Sequence, residues 1–444
     1  MSAAPPAPVS FGQAFAYWLK LGFISFGGPT GQIAIMHQEL VERRRWISEG
    51  RFLHALNYCM LLPGPEAQQL ATYIGWLMHR TWGGIMAGAL FVLPSLVILI
   101  ALSWVYLRFG DVPAVAAILY GIKPAVTAIV VFAAYRIASR ALKYQPLWLI
   151  SVAAFVAIFA FKVPFPAIIL GAAIAGYVLG RIAPERFGGT GHGAAKGSFG
   201  PALIDDGTLL PHTRFRVSRI ALLSIVGIAI WAAALGMLAR TLGWEATLTQ
   251  MGWFFTKAAL LTFGGAYAVL PYVFQGAVEH HGWLTATQMI DGLALGETTP
   301  GPLIMVVAFV GFVGAWTKEI FGAEALVWAG VAGAAVATFF TFLPSFVFIL
   351  VGAPAIESTH GDIRFTAPLT GITAAVVGVI VNLAVFFAWH VFWPQGFDGP
   401  FDLFAAALAV GALVAMWRFG AGIISVIAAC GAAGLVHHLV STIA

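Results

Sequence analysis

Two short motifs, FGG and PGP, each occur twice in apolar parts of this chain. FGG lies at residues 26–28 and 263–265, and PGP lies at 63–65 and 300–302. Glycine and proline interrupt helices, so each motif predicts a helix that stops and restarts. The backbone N–H groups freed at the start of the next helix, together with its dipole, favour an anion. The absence of a side chain on glycine lets an oxyanion approach the backbone closely.

Basic side chains lie close to both FGG motifs. Lys20 and Lys257 each fall about two helical turns before FGG, inside an apolar stretch. Two lysines that approach one site from opposite sides would suit a dianion. The alternative is that each ammonium extends along its helix to the membrane interface. Lys123, the third basic residue in a predicted span, is interpreted as either a helix-packing or a pore residue.

Acidic side chains lie close to both PGP motifs. Glu66 directly follows the first PGP, and Glu297 precedes the second in GETTPGP, with Asp291 about one and a half turns earlier. A carboxylate in a membrane cavity can carry a proton, since loss of hydration favours its neutral form. We therefore predict that Glu66 and Glu297 couple protons. An ion pair with a lysine, or capping of a half-helix, is the alternative.

Polar residues around the turns complete the predicted substrate site. Gln68, Thr298 and Thr299 could donate hydrogen bonds to an oxyanion, or could satisfy backbone groups freed at the turns. The predicted substrate-binding residues are Lys20, Gly27, Gly28, Pro63, Gly64, Gln68, Lys257, Gly264, Gly265, Thr298, Thr299 and Gly301. We expect no metal, no cofactor and no catalytic residue, because the sequence has no Walker motif, zinc motif or nucleophile elbow.

The composition is typical of a protein embedded in a lipid bilayer. Of 444 residues, 60% are hydrophobic and only 9% are charged, whereas soluble domains carry roughly 25% charged residues. Apolar runs of about 20 residues predict membrane-spanning helices. They lack the alternating pattern of an outer-membrane barrel. We therefore predict an all-α integral membrane protein with no signal peptide, and the net charge of +5 is a topology signal rather than a sign of nucleic-acid binding.

An internal duplication organises the chain. The first FGG–PGP region recurs 237 residues later without a gap, and further on the offset becomes 250, where LPS at 93–95 matches 343–345. The predicted divisions are an N-terminal tail (1–10), a first repeat (11–180), a polar glycine-rich linker (181–216), a connecting transmembrane helix (217–240) and a second repeat (248–441).

The charge pattern indicates that the two repeats are inverted. The loop VERRRWISEGR of the first repeat is rich in arginine, and its equivalent VEHHGWLTATQ has no lysine or arginine. Cytoplasmic loops carry the excess of positive charge, so equivalent loops face opposite sides of the membrane. A topology with broken hairpins at 11–45 and 52–80 and full spans at 82–107, 113–136, 146–161 and 163–180 places 16 of the 23 basic residues inside and 4 outside. Whether the broken helices re-enter or span stays open.

The paired motifs identify a family resemblance. FGGPTGQIAIMHQELVERRRWISEGRF, then LLPGPEAQQLATYIGW, then FGGAYAVLPYVF followed by GETTPGPL resemble the chromate ion transporter family in its long, two-domain form. The resemblance covers essentially the whole chain. In the second half FGGA replaces FGGP, and LIMV replaces the polar EAQQ after PGP. The resemblance therefore implies an asymmetric site, with more polar contacts from the first half.

The resemblance also implies an activity and a location. Members export chromate across the bacterial cytoplasmic (inner) membrane, driven by the membrane potential or a proton gradient, and so confer chromate resistance. The expected partners are chromate and the lipid bilayer, with no nucleic acid, and a homodimer is one option for the oligomeric state. Sulfate or another oxyanion is an alternative substrate, and a passive anion channel is an alternative mechanism. A membrane enzyme acting on lipid-linked phosphate would need a nucleophile or a metal, and the sequence shows neither.

Overall fold

The computed structural model describes residues 6–26, 28–183, 199–208, 210–263, 265–358 and 366–443. Seven helices precede the linker: α1 (Phe11–Ile24), α2 (Gly28–His37), α3 (Glu49–Leu61), α4 (Glu66–Phe109), α5 (Pro113–Ala141), α6 (Gln145–Phe159) and α7 (Phe165–Ile182). Nine follow it: α8 (Val217–Leu242), α9 (Thr247–Leu260), α10 (Ala266–Phe274), α11 (Ala286–Thr298), α12 (Val306–Thr317), α13 (Leu326–Ser358), α14 (Thr366–Phe392), α15 (Leu403–Phe419) and α16 (Ile423–Ile443).

Long apolar helices dominate the described ranges. Seven candidate segments are long and apolar enough to cross a membrane: Glu66–Phe109, Pro113–Ala141, Phe165–Ile182, Val217–Leu242, Ala323–Glu357, Ala367–Phe392 and Ile423–Thr442. Many large apolar side chains of these spans and of the shorter apolar helices face outward, including Trp82, Leu149 and Trp417, as expected for a surface in contact with lipid. The prediction of an all-helical integral membrane protein is confirmed.

Helix α4 has 44 residues and is interrupted about a third of the way along its length. His79 and Arg80 have non-helical backbone angles, and φ of Arg80 is +56°. A non-glycine residue in this region is uncommon and marks a sharp change of direction. The first part of α4 therefore belongs with α3 and the PGP turn, and the second part is a long span. The interruption lies at the boundary between the segments 52–80 and 82–107 of the sequence-based topology.

Local backbone features recur 237 residues apart. The helix after each FGG motif ends in a π-helical segment, at Gln38–Arg43 and at Gln275–His280. The chain then turns in the same way in both places. The Trp46 N–H donates to the Leu40 carbonyl at 2.7 Å, and the Trp283 N–H donates to the Ala277 carbonyl at 2.8 Å. Equivalent sequences thus give equivalent local folds.

The helices of the two halves interlock. Helix α5 packs on α15 and α16, and α14 packs on α6 and α7. Glycines permit the closest approaches: a Cβ on Gly121 would lie 2.9 Å from the Gly434 Cα, and a Cβ on Gly371 would lie 2.8 Å from the Gly176 Cα. Small residues let membrane helices come close enough for extensive van der Waals contact. The core is therefore shared between the halves.

The described part of the linker folds against the arginine-rich loop. The Leu203 N–H donates to the Arg45 carbonyl at 2.9 Å, and the Ser48 N–H donates to the Ile204 carbonyl at 3.0 Å. Residues 184–198 of the predicted glycine-rich linker lie outside the described residues. Helix α8 then follows, with most of its surface exposed, and contacts α13.

Candidate functional site

A cavity of about 340 Å³ lies between the two FGG turns. Helix α2 begins at Gly28 on one side, and α10 begins directly after Gly265 on the other side. Both glycines line the cavity. The first turn of a helix has N–H groups without intrahelical partners, so two sets of donors are brought to one space.

The two turn glycines adopt backbone angles that favour glycine. The φ angle is +69° at Gly28 and +99° at Gly265, and a Cβ at either position would meet no atom within 4 Å. The free space at each position is therefore the cavity itself. Gly27 and Gly264, the other predicted glycines of these turns, lie outside the described residues.

Two arginines from the end of α5 contribute positive charge. Arg136 and Arg140 are four residues apart, on one helix face, and both line the cavity. Arg136 is partly buried, and its Nη2 lies 3.4 Å from the Oγ1 of Thr30 in the first turn of α2. Sequence reasoning missed this role, because it counted both arginines only as cytoplasmic charges. The signal was their i, i+4 spacing at the end of an apolar helix.

Both predicted proton carriers lie at or next to the cavity. Glu66 lines it directly, at the start of α4. Glu297 is buried, with 8% of its surface exposed, and accepts a hydrogen bond from the Tyr267 hydroxyl. Tyr267 lines the cavity in the first turn of α10. The acidic groups thus approach the cavity from two different helices.

The PGP turns differ from the FGG turns, because their glycine N–H groups are used inside the protein. The Gly64 N–H donates to the Thr262 carbonyl at 2.7 Å, and the Gly301 N–H donates to the Ser25 carbonyl at 2.8 Å. Ser25 and Thr262 are each the residue directly before an FGG motif. Each PGP turn is therefore bonded to the FGG turn of the other half.

The remaining predicted polar residues bond locally. The Thr298 and Thr299 hydroxyls donate to the Leu295 and Gly296 carbonyls, each at 2.9 Å. The Gln68 amide donates to the Thr72 hydroxyl at 3.0 Å, within α4. The Pro63 carbonyl accepts from the Gln69 amide at 2.8 Å. In this conformation the two threonines satisfy carbonyls at the end of their own helix, which is the alternative that the sequence left open, and Gln68 bonds to a neighbouring side chain of α4.

Lys20 and Lys257 lie on exposed helix faces and do not line the cavity. The Lys257 ammonium lies over the Trp253 ring, 5.6 Å from its centre. Its charge also affects His281, in the loop after the second π-helical segment. The pKa of His281 is lowered to about 4, mainly by burial and further by the nearby charges of His280 and Lys257. The Lys257 side chain thus points back along α9 toward Trp253, one turn earlier, and does not enter the cavity, which agrees with the alternative interpretation.

Comparison with known proteins matches both halves. A model of the chromate transporter family matches residues 12–177 and again 249–435. A chromate transport protein of Pseudomonas aeruginosa is 34% identical over 97% of this chain and 93% of its own length. One of Cupriavidus metallidurans is 31% identical over 85% of this chain and 82% of its own length. No solved structure matches. Because these matches run through both FGG–PGP regions and nearly the whole sequence, the chain belongs to the chromate transporter family.

Proposed function

We propose that this protein is a secondary active transporter that exports chromate across the bacterial inner membrane and so confers chromate resistance. The observation that carries the proposal is the cavity bounded by both FGG turns and by Arg136 and Arg140. Helix N-termini and guanidinium groups are the donors that bind tetrahedral oxyanions. The relatives from Pseudomonas aeruginosa and Cupriavidus metallidurans are named chromate transport proteins, which supports chromate as the oxyanion.

The proposed mechanism is alternating access between two inverted repeats. Two reciprocal hydrogen bonds support it: Gly64 donates to Thr262, and Gly301 donates to Ser25. Gly301 is the repeat equivalent of Gly64, and Ser25 is the repeat equivalent of Thr262, so the two bonds are equivalent contacts made in opposite directions between the halves. Interrupted helices at matching positions are typical of such transporters. The two family matches support two homologous halves. Rocking one half against the other would close the cavity on one side and open its equivalent on the other side.

In this proposal the cavity faces the cytoplasm. Arg136 and Arg140 lie at the end of α5 that the positive-inside rule assigns to the cytoplasm. A dianion that binds there moves out of a cytoplasm at negative potential when it is exported. The membrane potential therefore favours export by about 4.6 kcal/mol for each 100 mV. Glu66 and Glu297 would couple protons from positions at or next to the cavity.

The test is uptake of labelled chromate and sulfate into everted membrane vesicles, with and without an energised membrane. We expect energised chromate accumulation by the wild type. Arg136→Gln should lower it at least tenfold, because loss of a charge-assisted contact costs about 1.5–3 kcal/mol. A matched control, Arg418→Gln, changes an arginine at the end of α15 that does not line the cavity.

The same assay decides between the alternatives. The double variant Lys20→Ala with Lys257→Ala tests the predicted lysine partners. If this variant loses uptake while Arg136→Gln remains active, the lysines, and not Arg136, supply the positive charge that binds the anion. Preference for sulfate would change the assigned substrate. Uptake that only equilibrates, whatever the potential, would indicate a passive channel and overturn active export.

A further inference from the structure

A buried cluster of ionisable residues lies away from the cavity, where α11 meets α4 and α5. Asp291 on α11 is 2% exposed, and its Oδ2 accepts from the Tyr106 hydroxyl of α4 at 2.9 Å. The Lys123 ammonium of α5 lies 3.7 Å from the same oxygen. Lys123 itself keeps 25% of its side chain exposed. The pair thus joins a buried carboxylate to a partly exposed cation.

The other carboxylate oxygen is free to receive a proton. Among the described residues, no hydrogen-bond partner lies within reach of the buried Asp291 Oδ1. A buried polar atom without a partner costs free energy, and a proton on this oxygen would remove part of that cost by neutralising the carboxylate. A purely structural ion pair would be expected to satisfy both oxygens. The geometry therefore leaves Oδ1 as the oxygen on which a proton could be carried.

Few other charges face Asp291 from the helices packed around it. Helix α12 carries no ionisable side chain, and beyond Tyr106 the nearest acidic group on the α4 side is Asp111. His437 of α16 stacks on Phe404, and His390 of α14 bonds to the Phe386 carbonyl. Lys123 is therefore the cation that responds to the charge of Asp291.

The internal duplication assigns this cluster to a second state of the transporter. At the offset of 250 residues, Lys123 is equivalent to Thr373. Thr373 lines the cavity between the FGG turns. If the two halves exchange roles during alternating access, Lys123 will line the opposite cavity in the position that Thr373 occupies here. This step rests on the proposed function.

We propose that Lys123 and Asp291 form a proton-linked anion site of the outward-facing state. Without an anion, the Lys123 ammonium pairs with the Asp291 carboxylate. When Asp291 takes up a proton from external water at Oδ1, the ammonium is released and pairs with an oxygen of the oxyanion. Loss of that proton restores the Lys123–Asp291 pair and expels the anion. One proton therefore binds or leaves together with one anion at this site.

The experiment measures chromate exchange from the outer face of proteoliposomes holding the full-length protein, at several pH values. If one proton binds with each anion, the apparent wild-type affinity falls by up to tenfold per pH unit in the range where Asp291 loses its proton. Asp291→Asn keeps the ammonium free, so its affinity stays high and shows no such fall. Protonation of chromate itself is identical for both proteins, so the ratio of their affinities isolates the effect of Asp291.

Matched variants fix the assignment. Lys123→Gln should weaken the affinity at least tenfold at low pH, where the free ammonium binds the anion. Asp398→Asn and Lys318→Gln make the same chemical changes at exposed positions and should behave like the wild type. If Asp291→Asn does not fold, the apolar pair Asp291→Leu with Lys123→Met should fold, because neither charge is left buried without a partner. It should show weak exchange without the pH dependence.

Three results would overturn the inference. The first is wild-type pH dependence in Asp291→Asn or in the apolar pair. The second is a folded Asp291→Asn variant that has lost exchange at every pH, which would make the pair structural. The third is a wild type that exchanges no chromate at all, which would remove the proposed function as well. The first two leave that function intact.

Discussion

The FGG and PGP turns both contain glycine, and their glycines lie in opposite environments. The glycines Gly28 and Gly265 have open space where a side chain would be. At Gly64 a Cβ would lie 2.3 Å from the Ser345 Oγ, and at Gly301 it would lie 2.8 Å from the Ser95 Cβ. Glycine thus serves two purposes here. At FGG it leaves room for a ligand, and at PGP it lets the backbone of one half reach the other half.

Under the proposed function, the difference separates anion binding at FGG from assembly at PGP. N–H groups at the start of α2 and α10 face a cavity, whereas those of the PGP glycines donate to carbonyls across the interface. Substitutions at PGP should therefore act on folding, and substitutions at FGG should act on transport. The predictions at the PGP glycines, at the FGG glycines and at Tyr267 test that division, and the prediction at Arg51 tests a second contact between the two halves.

The largest effect is expected at the PGP glycines. Gly64→Ala and Gly301→Ala each place a methyl group in a crowded site, at φ angles of +128° and +100°. Overpacking costs about 1–3 kcal/mol and the strained φ about 1–2 kcal/mol more. We expect little monodisperse protein after detergent extraction. Gly411→Ala, in a helix with open space around it, is the control, and normal yields of Gly301→Ala would refute the assembly role.

A side-chain junction should give a loss of stability of comparable size. The Arg51 guanidinium of α3 donates to the Glu357 carboxylate of α13 at 2.6 Å, and only about a tenth of either side chain is exposed. Tyr73 donates to the other oxygen of Glu357 at 2.5 Å. Arg51→Met leaves this carboxylate buried without its cation, which costs about 3–5 kcal/mol. Thermal unfolding in detergent measures the loss.

The matched control for that junction is an exposed pair. Arg43 and Glu39 form a hydrogen-bonded ion pair at 2.7 Å, but 62% of the Arg43 side chain is exposed. Arg43→Met should change stability by less than about 1 kcal/mol. Equal losses in Arg51→Met and Arg43→Met would mean that burial does not decide the strength of the junction.

The FGG glycines should give a smaller loss of stability and a larger loss of transport. Gly28→Ala and Gly265→Ala meet no neighbouring atom, so only the strained φ angle costs stability, about 1–2 kcal/mol. The added methyl group would occupy the space next to the N–H donors. We expect folded protein with at least tenfold lower chromate uptake in everted vesicles. Wild-type uptake by both variants would exclude the turns from the anion path.

Some features were predictable from the sequence because they depend on local pattern. Hydropathy fixes the helical membrane class, and Gly-Pro motifs mark the ends of α1 and α3. The cavity position of Gly28, Gly265 and Glu66 followed from motif spacing. The contact of Arg136 with Thr30 did not, because it joins residues 106 positions apart through the packing of α5 against the turn. The orientation of Lys20 and Lys257 was likewise not predictable. The repeat predicts that the two residues occupy equivalent positions, but not whether their side chains face the cavity or the outside of the helix bundle.

The smallest effect is expected at Tyr267, which belongs to both regions. Its ring lines the cavity after the FGG turn, and its hydroxyl donates to Glu297 just before PGP. Tyr267→Phe keeps the ring and removes the hydrogen bond, so we expect a loss of about 1–3 kcal/mol in stability, toward the lower end if water replaces the hydroxyl. Tyr58→Phe is the matched control, because it removes a hydroxyl that donates to the Phe348 carbonyl at 3.1 Å and does not line the cavity. If Tyr267→Phe changes the KM for chromate while Tyr58→Phe does not, the Tyr267 hydroxyl links the cavity to the PGP junction. Unchanged transport would confine that hydroxyl to a structural role.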